Sequence, residues 1–418
     1  MRTLYTLLLA LLTPLIVLRL WLKGRVQPAY RQRIAERFAQ VPGHPVAVWV
    51  HAVSVGESLA ALPLIEALIK QHGERRVWVT TTTPTGSERV QAALGARVIH
   101  TYAPYDLPWV VSRFLTRAQP QQVVIMETEL WPNLFAALKA RGIPLTIANA
   151  RLSPRSFKGY SRVAGFTRRV LGGVTTVAAQ SVLDAERFGA LGAPRVEVIG
   201  NLKFDLALPA GEQPLTALIA ARWPAPRAVW AAVSTHEGEE QAALEAHRAL
   251  LQTQPDALLI LVPRHPQRFE AVAAQMAAQG LSFVRRSALD AETQPAAVLL
   301  GDSMGEVMAY LAAAQLAFVG GSLVPVGGHN VLEPAAIGLP VLFGPQMHNF
   351  LAARELLLGA EVAREVSDAA SLAEALHDWL PTPANQAACE ARSQRARAAI
   401  AANRGALQKL LALLERKA

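Results

Sequence analysis

Six short segments carry residue types that can do chemistry, and each follows an apolar, β-rich run. His51-Ala-Val-Ser-Val-Gly-Glu57 closes the first run and opens a helical pattern. A carboxylate at a strand-to-helix turn is kept ionised by the helix dipole, the state a general base needs. Ser54-x-x-Glu57 also fits a capping box, and one residue can serve both ends. Met126-Glu-Thr-Glu-Leu-Trp-Pro-Asn133 sets Glu127 and Glu129 two apart, on one face of extended chain. There they can stabilise a cationic transition state or pair with local arginines. Gly200-Asn-Leu-Lys-Phe-Asp205 brings Lys203 to a further strand end, to meet a phosphate, a carboxylate or only solvent. Pro263-Arg-His-Pro266 offers Arg264, whose planar fork suits phosphate. Gly301-Asp-Ser-Met-Gly-Glu306 makes another strand-end loop. Phe318-Val-Gly-Gly-Ser322, followed by Pro325-Val-Gly-Gly-His-Asn-Val-Leu-Glu-Pro334, is the richest in glycine. Glycine lets backbone approach a ligand, and a helix N-terminus presents N–H groups to an anion. This segment reads as a phosphate cradle with Glu333 beside it. Asn330-x-x-Glu333 equally fits a capping box.

The elements that must position these residues are legible as alternation. Runs at 46–52, 77–83, 98–102, 123–127, 145–148, 174–178 and 196–199 read as strands, with helical patterns such as 59–70, 134–141 and 182–191 between them. Strands alternating with helices imply a parallel sheet with right-handed crossovers. Pro209, Pro214, Pro224 and Pro226 mark a boundary within 206–227. A second series lies at 229–233, 258–262, 283–285, 298–300, 317–320 and 341–343. The expected fold is α/β, with two Rossmann-like domains facing a cleft, because open α/β sheets bind ligands at strand carboxyl ends. From about 385 onward the chain reads as helix, with Leu407, Leu410, Leu411, Leu413 and Leu414 on one face.

Composition narrows the partners. The chain has 418 residues, 52% hydrophobic and 17% charged, with a formal charge of +9. That length favours two domains, and that charge favours anionic partners. No nucleic acid is expected, because the arginines are dispersed and no nucleic-acid-binding motif is present. The single cysteine, Cys389, permits neither an intramolecular disulfide nor a cysteine metal cluster. Asp-x-Asp, P-loop, HExxH and GxSxG patterns are absent, so no metal site and no cofactor are expected.

The N-terminus reads as a membrane anchor over residues 1–22. Thr3 to Leu18 is uncharged and mostly apolar. As a helix these residues reach about 24 Å, short of a ~30 Å hydrocarbon core unless Leu20-Trp-Leu22 extends them with Arg19 snorkelling. Trp21 suits the interface, and Lys23, Arg25, Arg31, Arg33 and Arg37 predict that the chain beyond the anchor stays cytoplasmic. A cleaved signal peptide and a helix lying in the interface are the competing readings.

In order and wording, the motifs at 51–57, 126–133, 149–153, 200–205, 234–239, 263–265, 302–306 and 327–334 resemble the 3-deoxy-D-manno-octulosonic acid (Kdo) transferases of Gram-negative bacteria. The resemblance runs through nearly the whole chain. It implies a GT-B glycosyltransferase that moves Kdo from CMP-Kdo to the lipid A precursor, lipid IVA, with inversion and release of CMP. It implies Glu57 as catalytic base, with Glu127 and Lys203 stabilising the transition state. It implies CMP contacts from Pro263, Arg264, Met304, Gly305, Glu306, Asn330, Val331, Leu332 and Glu333. It implies an acceptor-binding domain over 23–208 and a CMP-Kdo-binding domain with a terminal helix over 209–418. The chain is expected at the cell inner membrane, among anionic lipids and with its catalytic domains on the cytoplasmic side. Lys158, Arg162, Arg168 and Arg169 are candidates for the membrane-facing patch or for an ordinary solvated helix face.

Overall fold

The computed structural model describes residues 1–25, 27–205, 211, 213–224, 227–290 and 292–416. They fall into two compact units: Met1–Asp205 with Asn403–Ala418, and Leu206–Ala402. The expected 208/209 boundary lies outside the described residues.

The first unit is built on strands β1 (Val48–His51), β2 (Val77–Thr81), β3 (Ile99–Tyr102), β4 (Gln122–Met126), β5 (Leu145–Ala150), β6 (Thr176–Ala179) and β7 (Val196–Val198). Their order is β3-β2-β1-β4-β5-β6-β7, and every neighbouring pair is parallel. Both faces of such a sheet are covered, so its strands are continuous apolar runs. Side chains still alternate between the two faces: Trp49 packs with Trp78 and Phe114 in one core, while Val48 and Val50 enter the other with Val79 and Val124. The strand order reverses between β1 and β4. The crevice beyond the carboxyl ends of such strands is where α/β sheets bind ligands. Here β1 leads to Glu57 and β4 to Glu127.

The terminal helix, Ala406–Glu415, belongs to this unit and not to the second, as its position in the chain had suggested. Asp205 is the cause. Its carboxylate accepts from the N–H groups of Gly405 and Leu407, both at 2.6 Å, and so caps the helix start. Ala406 and Leu410 are buried in the same core as Val48, and Leu407, Leu411, Leu413 and Leu414 pack against it.

The second unit holds β8 (Val229–Thr235), β9 (Leu258–Pro263), β10 (Phe283–Arg285), β11 (Val298–Leu300), β12 (Leu316–Val319), β13 (Val341–Phe343) and β14 (Ala363–Glu365). The order β10-β11-β9-β8-β12-β13-β14 is again all parallel. It reverses between β8 and β12. Sequence reasoning missed β14, an edge strand with two charged residues in three, which pairs only with β13.

A helix over Arg2–Lys23, whose most apolar 18 residues have mean hydropathy 2.0, is long and apolar enough to cross a membrane by length and composition. Two of the five cations expected beside the membrane have other work. Arg33 binds Glu36 and the Ser87 hydroxyl. Arg37 is 3% exposed and donates to the Thr82 carbonyl at 2.8 Å. Lys23, Arg25 and Arg31 remain near the helix end, with Arg31 stacked on Trp21 at 4.3 Å.

Candidate active site

In the first unit, Glu57, Glu127, Thr128, Glu129, Arg151, Ser153 and Ser156 line one cavity of about 180 Å³. Three carboxylates therefore converge from the ends of β1 and β4. Ser54 caps the helix Val55–His72 by accepting from the Glu57 N–H at 3.2 Å. The Glu57 carboxylate in turn accepts from the Val53 N–H at 2.8 Å and the Ser54 hydroxyl at 2.9 Å. Glu57 thus faces the cavity and braces the helix start, but through Val53 rather than through the Ser54 N–H that a capping box would use. Burial pushes the Glu57 carboxyl up to about 7, so it is not held ionised by the helix dipole as its position in the sequence suggested. The Val53 N–H and Ser54 hydroxyl oppose that rise, while the charges of Glu127 and Glu129 add to it. A carboxyl near neutrality is the one tuned for proton transfer.

The neighbouring residues are held under tension or by dedicated bonds. Glu127 has φ of 57°, in the left-handed region, rather than the extended chain expected of it. Such a conformation costs about 1–3 kcal/mol and concentrates at functional sites. Burial raises the Glu129 carboxyl above its ordinary value, against the hydrogen bond it accepts from Trp131 Nε1 at 2.9 Å. His51, at the end of β1, packs edge-on against Trp131 at 4.8 Å. Its Nδ1 meets the Thr80 hydroxyl at 2.8 Å, and burial lowers its pKa to about 4, so the ring stays neutral. Asp106 caps the helix Pro132–Ala140 by accepting from the N–H groups of Asn133 and Leu134. Lys203 sits on a single 3-10 turn, Leu202–Phe204, tied to β5 where Leu202 N–H donates to the buried Asn149 side chain at 3.0 Å. It is not among the residues lining the Glu57 cavity.

In the second unit the loops after β8, β9, β11 and β12 gather at the carboxyl edge of the sheet. Arg264 depresses both His329 and Glu333 by its charge, which puts the three side chains in one neighbourhood. His329 is lowered chiefly by burial, to about 4, and its Nε2 lies 2.8 Å from that of His236 with the rings parallel. Glu333 is raised by burial and accepts from the Asn330 amide at 3.0 Å. Burial also works to raise Glu306. The Arg286 guanidinium, at 2.9 and 3.1 Å, and the Ser303 hydroxyl overcome it and hold that carboxyl below its usual value. Met304 is exposed and Gly305 has φ of 85°.

The glycine run is not the anion cradle its sequence suggested. Gly321, Ser322 and Leu323 donate their N–H groups to the carboxylate of Glu239, at 2.6, 2.9 and 2.9 Å. Gly327 and Gly328 donate to the Gly321 carbonyl, and His329 to that of Gly320. These donors are turned into the protein. Gly320 is glycine because a Cβ there would stand 2.6 Å from the Ser234 carbonyl and 2.8 Å from Glu239. Nor does Asn330 form a reciprocal capping box. It accepts from the Leu332 N–H at 3.1 Å and gives its amide to Glu333.

Residues 32–206 match the family model described as 3-Deoxy-D-manno-octulosonic-acid transferase (kdotransferase). The 3-deoxy-D-manno-octulosonic acid transferase of Haemophilus influenzae is 41% identical over 426 residues, spanning 99% of this chain and 98% of that one. That of Bordetella pertussis is 40% identical over 432 residues, covering 99% of each. The chain belongs to the Kdo transferases. Its fold has wider kinship. A glycosyltransferase from Rickettsia africae superposes with a TM-score of 0.56 at 15% identity, over 90% of this chain and 99% of that one. A UDP-GlcNAc 2-epimerase from Neisseria meningitidis does so at 0.54 and 12%, over 89% and 99%. These establish the two-unit GT-B fold and nothing of the chemistry, since a transferase and an epimerase share it.

As a Kdo transferase, the chain has residues whose part sequence reasoning did not assign. Arg151, Ser153 and Ser156 line the Glu57 cavity, and Asn149, fully buried with φ of 54°, stands at the end of β5 behind them. The one signal for them was the motif 149–153 itself. Val331 and Leu332 are buried as whole residues, at 0% and 1% exposure, so neither presents open surface to a ligand in this conformation.

Proposed function

We propose that this transferase moves Kdo, with inversion, from CMP-Kdo to the lipid A precursor, lipid IVA, in lipopolysaccharide biosynthesis, at the cytoplasmic face of the inner membrane. The observation that carries the reading is Glu57: a carboxyl near pKa 7, facing a cavity it shares with Glu127 and Arg151. A sugar hydroxyl is a poor nucleophile until a base accepts its proton. In the proposed step that proton passes to Glu57 as the hydroxyl oxygen bonds to the anomeric carbon of Kdo. The bond from that carbon to the phosphate oxygen breaks, its electron pair leaves with CMP, and the anomeric centre inverts. Positive charge gathers on the sugar before the new bond is complete. The Glu127 carboxylate beside Glu57 suits that charge, and Lys203 is assigned to the charge on the leaving side.

The donor belongs to the second unit. Arg264 meets the phosphate, with Pro263 beside it, and Glu333 is placed for the ribose hydroxyls. Met304, Gly305 and Glu306 take the cytosine end, and Asn330, Val331 and Leu332 complete the CMP contacts. Lipid IVA is anionic, as is the inner leaflet. Lys158, Arg162, Arg168 and Arg169 are all exposed, on or just after the short helix Pro154–Ser161 and on the helix Ala164–Leu171.

Purified protein incubated with CMP-Kdo and lipid IVA tests the reading by the mass of the lipid product. The expected result is a product heavier by whole Kdo residues, CMP in equal amount, and a loss of roughly 10²–10⁴-fold in Glu57→Gln. An unchanged acceptor mass, or full activity in Glu57→Gln, overturns it.

A further inference from the structure

The helix Arg2–Lys23 has the length of a membrane span, but its two faces are unlike. Leu4, Leu7, Leu11, Leu15, Leu18 and Leu22 are exposed, at successive spacings of three and four residues, and so form one continuous ridge. The opposite stripe is covered by the first unit. Leu9 packs against the core that holds Trp49 and Phe114. Thr13 is buried, and Ile16, Val17 and Leu20 are half-buried. Thr6 receives a hydrogen bond from the Asn133 amide at 3.0 Å, and Tyr5 reaches the Asp106 carboxylate. At the other end, Arg31 Nε donates to the Trp21 carbonyl at 2.9 Å. From Tyr5 to Thr13 the helix thus lies along the protein for about 12 Å, and its last turn is tied to the segment Pro28–Arg31 that follows it.

We propose that this helix does not cross the membrane but lies in the plane of its cytoplasmic interface, leucine ridge in the acyl region of an anionic leaflet. The proposal rests on the membrane part of the function proposed above. A crossing helix would have to leave the face it packs on. That would strip Leu9 from the core and separate Thr6 and Tyr5 from Asn133 and Asp106. Lying flat, both charged ends, Arg2 and Lys23 with Arg25, stay among anionic headgroups, each worth about 1 kcal/mol near such a surface. Trp21, under Arg25 and Arg31, is the kind of residue the interface holds. Amphipathic helices of this length bind in the interface plane by apolar area plus such charge.

The placement bears on catalysis. Asn133, which holds Thr6, begins the helix that comes after Glu127, Thr128 and Glu129. A flat helix therefore sets the leaflet beside the loop that lines the catalytic cavity, where a lipid acceptor can offer its sugar without leaving the bilayer.

Sidedness decides the matter. Full-length protein with Cys389→Ser and a single new cysteine, Thr3→Cys or Arg25→Cys, is expressed in a Gram-negative host. Spheroplasts and lysed membranes are treated with a membrane-impermeant maleimide, and membrane pellets are assayed in parallel. The expected result is sedimentation with membranes and, for both positions, loss of labelling in intact spheroplasts that lysis restores. Labelling of Thr3→Cys in intact spheroplasts overturns the in-plane placement while leaving membrane attachment standing. A chain that remains in the soluble fraction overturns the membrane reading itself.

Discussion

The pH dependence of the Glu57 reaction arises from its surroundings and can be pushed in both directions. Glu57 is raised from 4.5 to about 7, burial being the largest cause. At 1.36 kcal/mol per unit, ionising it in the folded protein is disfavoured by roughly 3 kcal/mol, or about 2 kcal/mol after allowing for solvent screening. The folded state holds this proton more tightly than the unfolded chain does. Stability from this group is therefore full below about pH 4.5 and declines as pH rises towards 7. Glu57→Gln cannot ionise, so it should exceed the parent in stability by about 1–2 kcal/mol at pH 8 and match it at pH 4. Catalysis moves the opposite way, because the base must be ionised. With CMP release monitored from pH 5 to 9, kcat/KM should level off above about pH 8 and fall to roughly 10% at pH 6 and 1% at pH 5. Glu129→Gln keeps an acceptor for Trp131 Nε1 but removes a negative charge that raises Glu57. Its acid limb should move to lower pH with the plateau kept. Ser54→Ala removes a hydroxyl that stabilises the carboxylate, and its limb should move to higher pH. A limb unmoved in both variants, or a Glu57→Gln enzyme retaining more than about a tenth of parental activity, would refute the assignment of the base.

Other outcomes test the scaffold. Glu239→Ala orphans four backbone donors, those of His236, Gly321, Ser322 and Leu323, and should cost about 3–5 kcal/mol in chemical denaturation. Asp205→Ala removes the cap from the terminal helix and should cost about 1–2 kcal/mol, with hydrogen exchange rising at Ala406–Glu415 and along the helix Val55–His72 but not in the second unit. Arg264→Lys keeps the charge and loses the fork, so the KM for CMP-Kdo should rise while that for the lipid acceptor is unchanged.

Most of the architecture was legible because parallel sheets are covered on both faces, which makes their strands unbroken apolar runs. The thirteen strands read from the sequence are mostly such runs, although β7 carries Glu197 and β10 Arg285, and β14, with Arg364 and Glu365 in its three residues, was missed. What failed was whatever depended on a partner distant in sequence. Arg33 and Arg37 come after an apolar helix and read as membrane-side charges, yet they find Glu36, Ser87 and Thr82. The terminal helix was assigned by position, whereas Asp205, two hundred residues earlier, holds its start. The glycine run read as a ligand site, yet distant Glu239 takes the N–H groups of Gly321, Ser322 and Leu323, and the carbonyls of Gly320 and Gly321 take those of Gly327, Gly328 and His329.

Glu239 and Glu57 make the same point from the site outward. Each stands three residues after a polar residue at the exit of its unit's first strand, β1 or β8, beside the reversal of strand order. Each accepts from a backbone N–H of its own turn, Val53 for Glu57 and His236 for Glu239. Local pattern cannot separate them. The adjacent strand does. The chain leaving β12 folds over Glu239 and gives it three further N–H groups, so that carboxylate is fully buried and its charge is met on every side. The chain leaving β4 brings Glu57 no donor but two more carboxylates, and leaves a cavity open between them. A carboxylate saturated by donors holds a loop in shape, whereas one buried with only two donors, and with like charge beside it, is pushed towards taking up a proton. From two equivalent positions in two similar sheets, the neighbouring loop thus makes one glutamate structural and leaves the other ready for acid–base chemistry.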